Sequence, residues 1–171
     1  MGQTKKKPDS HICNTQMTSL YELTQFVFNT PNSNDVISNI LALLSQSYCV
    51  DSTTFKCVLA LINITDYNVL VRERHMNHRC AYPLCSKEIS NTLPNGYLAD
   101  YCGDYHFDCS QFVITQLAQF PRCGLELWKR QLSAGEKNPG RMILFEELLQ
   151  DKVIENDVNS LTTDMNIFRL R

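Results

Sequence analysis

Apolar positions return every three or four residues through most of this chain, the period of helices with one buried face. Leu20, Leu23, Phe26, Val27 and Phe28 trace the first face. Thr18 or Ser19 can cap it, with Glu22 where a helix N-terminus favours an acid. Thr30-Pro31-Asn32 ends it. Asn34 or Asp35 then opens a second helix carrying Val36, Ile37, Ile40, Leu41, Leu43 and Leu44. Asp51 or Ser52 opens a third with Phe55, Val58, Leu59, Leu61 and Ile62. Thr65 or Asp66 opens a shorter one through Tyr67, Val69, Leu70 and Val71, delivering Glu73 toward the cysteines that follow. Ile89 to Leu98, with Pro94-Asn95-Gly96 inside it, reads as a small hairpin or a loop. A long helix is expected from Gly103 or Asp104 to Phe120, a short one across Leu125–Leu132, and a last one across Met142–Leu149 with Glu146 and Glu147 exposed. Ser133–Gly140 has the composition of a linker. The fold class is mainly α, with one small irregular or hairpin insert.

Length and composition refine this picture. The chain has 171 residues, 43% of them hydrophobic, enough for one core. Three regions are expected: a flexible basic arm over 1–16, a helical metal-binding domain over 17–150 and an extension over 151–171. A formal charge of −2 gives no general attraction to nucleic acid. No apolar run approaches the length of a membrane span, and the basic, polar start has no signal-peptide core. Lys6 stands where a myristoylation site wants Ser or Thr. Lys5, Lys6 and Lys7 read as a solvated tail, or more sharply as a nuclear-import signal.

The chemistry concentrates between Glu73 and Cys109. Cys80 and Cys85 are separated by four residues; Cys102 and His106, by three. Two such pairs joined by a short loop suit a tetrahedral zinc ion, each local turn supplying two ligands. Pro83 favours a tight turn inside the first pair. The second pair, at i and i+4, shares one face of a starting helix. The reading is a Cys3His site. The alternatives are disulfides or ordinary buried thiols, and Cys109 stands close enough to replace His106 as fourth ligand. With no signal peptide visible, a reducing compartment favours thiols on metal. Four protein ligands leave no open position, so the single zinc would be structural. Arg79 and Lys87 could offset its charge.

Catalytic groups must then lie elsewhere. No cysteine has an arginine six residues later, and no HExxH, GxSxG or Walker A motif occurs. Gly103-Asp104-Tyr105-His106 begins like a two-metal phosphatase motif, but Phe107 replaces its final glycine. Candidates are Glu73, His75, His78 and the tyrosines Tyr97, Tyr101 and Tyr105. Glu73 sits near Arg72, Arg74 and Arg79, whose guanidiniums could bind phosphate. The plainer reading is a solvated, charged helix end.

Residues 71–85 (VRERHMNHRCAYPLC) resemble the ERxLNxxCGYPLC signature of the zinc-binding RNA polymerase II C-terminal-domain phosphatases. This family comprises the fungal regulator-of-transcription and animal RNA polymerase II-associated proteins. Residues 101–112 (YCGDYHFDCSQF) resemble its second half. The resemblance implies a helical fold around one zinc held by Cys80, Cys85, Cys102 and His106. It implies binding to RNA polymerase II and dephosphorylation of serine in its heptad-repeat tail, without direct nucleic-acid or membrane contact. It also implies shuttling between nucleus and cytoplasm; a monomer is expected. Glu73 matches the family's acidic position, as base or substrate orienter, and Tyr97 falls where a candidate active-site tyrosine lies. Arg72 replaces a second acid of the family, and Ala81 a glycine. A divergent member could keep the fold as a non-catalytic adaptor for polymerase assembly or import.

Overall fold

A computed structural model of the chain describes residues 17–30, 33–89, 99–120 and 122–152, with Ser33 and Asn34 described by backbone alone. Its elements are β1 (Met17–Thr18), α1 (Leu20–Asn29), α2 (Ser33–Gln46), β2 (Tyr48–Cys49), α3 (Ser52–Leu59), α4 (Ile64–Met76), α5 (Asp104–Gln119) and α6 (Leu125–Ser133). A seventh helix, α7, occupies residues 145–152. The mainly helical fold class is therefore observed. No helix among the described residues is long and apolar enough to cross a membrane.

Caps decide where the helices begin. Ser19, not Thr18, caps α1 in a reciprocal box: its hydroxyl accepts from the Glu22 amide while the Glu22 carboxylate accepts from the Ser19 amide. Those bonds hold the Glu22 carboxyl below its usual range. Leu23 and Val27 are buried, whereas Phe28 turns outward and is 47% exposed, under the Lys129 ammonium. The start expected at Asn34 or Asp35 lies earlier: α2 begins at Ser33, and Asp35 sits inside its first turn. Asp51 caps α3 as expected, through the Thr54 amide. That helix stops at Leu59, so Leu61 and Ile62 are buried by the turn beyond it. Asn63, not Thr65 or Asp66, caps α4, and Asp66 closes the box from its third position. This helix is also longer than expected and runs through Met76, so Glu73 lies on it.

The core is one cluster around α1–α4, closed by α5 and Trp128 of α6. Its largest helix contact is α2 on α4. A two-residue parallel ladder pairs Met17 with Tyr48 and Thr18 with Cys49. The helical period of this half gives no sign of it, because two residues are too few to show an alternation. The buried Thr18 and Ser47 hydroxyls bond at 2.7 Å beneath it.

Ser133–Gly140 is exposed through Lys137, but its second half is fastened to the core. The Cys57 thiol approaches the Lys137 carbonyl, and Asn138 both donates to and accepts from the Met142 backbone. Gly140 is needed there, since a Cβ would stand 2.9 Å from that of Ala60. The last helix starts at residue 145 rather than at Met142, which with Leu144 is buried in the lead-in. Glu146 and Glu147 are not simply exposed: Glu147 pairs with Lys56 and accepts from the Leu144 amide, and Glu146 accepts from the Tyr82 hydroxyl. The possible hairpin at 89–98 lies, from residue 90 on, outside the described residues.

Candidate metal centre

The first cysteine pair sits on a tight turn. The Cys85 amide donates to the Tyr82 carbonyl at 2.9 Å, with Pro83 at the position that its fixed φ suits. An antiparallel bridge between Arg79 and Glu88 closes the base, with Cys80 donating to Lys87 and Ile89 to His78. The Pro83 carbonyl accepts from Cys49, which fastens the turn to β2. The second pair straddles the start of α5: Cys102 precedes the capping Gly103, and His106 lies in the first helical turn. Cys102 is thus just off the helix on which the pair was expected.

These turns converge. The ligand atoms of Cys80, Cys85, Cys102 and His106 all lie within 4.8 Å of one another and could hold a metal ion. Cys85 Sγ is 3.8 Å from Cys102 Sγ, and Cys80 Sγ is 3.6 Å from His106 Nδ1. Zn–S bonds of about 2.3 Å and Zn–N of about 2.0 Å give tetrahedral edges of about 3.8 Å and about 3.5 Å. The two separations match those edges. Cys102 Sγ and His106 Nδ1 are closer, at 2.9 Å. The imidazole thus presents Nδ1 to the sulfurs.

Backbone amides face two of the sulfurs. The Lys87 amide points at Cys85 Sγ (3.4 Å) and the Cys102 amide at Cys80 Sγ (3.5 Å). Lys87 thus meets the cluster through its backbone amide, and its charge also favours the Cys102 thiolate against the burial that pushes that thiol up. A hydrogen bond from the Cys80 thiol, aided by His106 and the Lys87 amide, pulls the Cys85 thiol down to about 4, and the same bond pushes Cys80 up. Tyr82 and Tyr105 flank the imidazole, their ring centroids 5.4 and 5.6 Å from it.

Other candidates fall outside this cluster. Cys109 is fully buried on α5 and does not join the four donors. Burial, with Glu146 beside it, pushes its thiol up to about 12. Cys109→Ser is expected to keep a full complement of metal by elemental analysis, since serine retains the hydrogen-bonding group. His75 Nδ1 lies 2.9 Å from Asp100 Oδ1, away from the sulfurs, and His78 is exposed in a left-handed conformation with φ 57°. Tyr101 is buried and donates to Ser110. Glu73 is exposed on α4, and Tyr97 lies outside the described residues.

The arginines expected beside Glu73 divide. Arg72 is exposed, but Arg79 is 4% exposed and Arg74 fully buried. Arg74 Nε donates to the Cys80 carbonyl (2.8 Å) and Nη2 to that of Cys85 (3.0 Å), while Nη1 reaches the carbonyls of Leu44 (2.5 Å) and Ser47. It therefore offers no fork to an external phosphate. Its role was not read from the sequence, although a signal existed. Tyr67, Leu70, Val71 and Arg74 form the buried stripe of α4, so a charge occupies a position whose period calls for an apolar residue.

No family model matches the chain. It is 34% identical over 146 residues to "RNA polymerase II subunit B1 CTD phosphatase RTR1" of Saccharomyces cerevisiae. It is 30% identical over 131 residues to the RTR2 protein of that yeast, which carries the same description. Among solved structures, transcription regulator protein Rtr1 from Kluyveromyces lactis superposes with a TM-score of 0.53 at 33% identity, over 59% of this chain and 81% of that one. The chain belongs to the Rtr1 family. The Saccharomyces cerevisiae Rtr1 crystal structure matches with a TM-score of 0.64 at 27% identity, over 80% of this chain and 98% of that one. The matches cover 74% of the chain in each case but 65% and 66% of the yeast RTR1 and RTR2 sequences. Both cysteine pairs and the helices that carry them are thus set in an Rtr1-type fold.

Proposed function

We propose that this chain is an atypical protein-serine phosphatase acting on the phosphorylated C-terminal heptad repeats of RNA polymerase II, with one structural zinc. The observation that carries the reading is the 34% identity to a yeast protein described as a C-terminal-domain phosphatase. Zinc is supported by the donor set of three sulfurs and one imidazole and by two of their separations, Cys85–Cys102 and Cys80–His106, which fit its tetrahedral edges. A centre closed by Cys80, Cys85, Cys102 and His106 supplies stability and holds the turns in place; proton transfer falls to side chains outside it.

Glu73 is our candidate for the group that orients or deprotonates the attacking water, supported by its exposure on α4 between the exposed Arg72 and the buried Arg74 that ends that helix's buried stripe. Tyr97 is the second catalytic candidate, on the strength of the family resemblance alone. Shuttling between nucleus and cytoplasm goes with such a partner.

One observation favours the alternative, a non-catalytic adaptor for polymerase assembly or import. Two of the three guanidiniums near Glu73 in sequence are buried, which leaves Arg72 to meet a phosphate. Phosphate release from a phosphorylated heptad peptide by zinc-loaded protein separates the readings. The phosphatase reading expects release that Glu73→Gln slows by about 100-fold or more, the scale of general acid–base contributions, with the melting temperature unchanged. No release above a control for contaminating phosphatases leaves the adaptor.

A further inference from the structure

We infer that Arg74 is the buried counter-charge and positioning residue of the metal centre. Its guanidinium is fully buried, and four of its five N–H groups are spent on backbone carbonyls. Two of those carbonyls belong to Cys80 and Cys85, at the two ends of the first ligand turn. The other two belong to Leu44 and Ser47, where α2 gives way to β2. One planar fork thus fixes the ligand turn against the end of a core helix. A lysine ammonium cannot satisfy four acceptors spread in that plane.

Charge strengthens the case. Among the described residues no carboxylate pairs with Arg74. A buried cation met only by carbonyl dipoles is strongly unfavourable unless an opposite charge lies close. Three thiolates and a neutral imidazole around a divalent zinc carry one net negative charge. That charge would sit on the residues whose carbonyls Arg74 holds. The guanidinium and the loaded centre therefore compensate one another, a role expected from sequence for Arg79 and Lys87. The inference rests on the zinc reading above.

The test uses the full chain loaded with cobalt(II) or zinc, and the variants Arg74→Lys and Arg74→Gln. Metal affinity is read by chelator competition, ligand geometry by the cobalt absorption bands, and folding by circular dichroism with and without metal. Arg74→Lys keeps the charge and loses the fork, so affinity should fall by about tenfold; Arg74→Gln loses both and should fall by about 100-fold, the range known for groups that orient metal ligands. Arg74→Gln should also lower the melting temperature of the loaded chain more than that of the metal-free chain, in which the guanidinium has no counter-charge. Unchanged affinity in both variants overturns the proposal. Equal destabilisation of the loaded and metal-free forms reduces Arg74 to a packing role and also overturns it. An equal affinity loss in both variants removes the counter-charge. Should Arg74→Gln fail to fold in either form, Arg74→Lys decides alone, and wild-type affinity there sinks the idea. Wild-type protein that takes up no metal defeats the zinc reading instead, before Arg74 is tested.

Discussion

Cys80→Ser is expected to lose its metal and, with it, the cooperative melt of the chain. On the zinc reading proposed above, elemental analysis should fall from about one metal ion per chain toward none, and far-UV circular dichroism should show helix loss at ordinary temperature. The size of the effect follows from what the site joins. The Cys80–Cys85 turn is fastened to β2 through Pro83 and to α2 through Arg74, and Cys102 and His106 sit at the start of α5. Structural zinc contributes on the order of 10 kcal/mol of binding energy to the folded state, comparable to the whole stability of an ordinary domain. Serine fits the space but is a far poorer zinc ligand than thiolate, and it leaves the facing sulfurs and imidazole crowded around no cation. His106→Ala should behave alike. A variant that melts as wild type does while holding no metal would show that the helices need no staple.

The second large effect is expected at Trp128. It is the chain's one tryptophan, fully buried, and its indole N–H donates to the Cys57 carbonyl at 2.8 Å. It is the one fully buried residue of α6, with Leu125 and Leu132 packed partly buried against the same core, so this ring makes the deepest contact of the helix. Trp128→Ala should cost about 3–5 kcal/mol by opening a cavity, with the Cys57 carbonyl orphaned besides. That corresponds to a drop in melting temperature on the order of 10 °C or more. Trp128→Phe separates the terms: it keeps most of the ring volume and loses the bond, about 1 kcal/mol. Urea denaturation read by circular dichroism measures both. A loss under about 1 kcal/mol for the alanine variant would mean that α6 docks by other contacts.

Most of the helices could be read from the sequence because an amphipathic period and a polar cap are local signals. Asp51 and Ser19 were found by that rule. Where the rule slipped, several polar residues competed for one cap. Asn63 precedes Thr65 and Asp66 and wins because Asp66 reaches back to its amide, a reciprocity that the bare order of residues does not rank. The metal donors were legible for a similar reason, being two short-range pairs. What joins the pairs to the rest was not. The ladder of Met17–Thr18 with Tyr48–Cys49, the bond from Tyr82 to Glu146 and the carbonyls held by Arg74 all link residues far apart in the chain. Arg74 was misread for a further reason. Arginine usually faces water, so a row of charges at a helix end reads as surface until the buried stripe of α4 is seen to end on one of them.

The order of the donors along the chain has a consequence for synthesis. His106 lies 26 residues after Cys80. At about 5–20 residues per second, the last ligand leaves the ribosome roughly one to five seconds after the first. During that interval the nascent chain offers a thiol pair with no closed cage, open to oxidation or to a competing soft ion. If these four side chains hold zinc as proposed, only the arrival of the imidazole would complete the donor set, and closure of the cage would wait on translation into the first turn of α5.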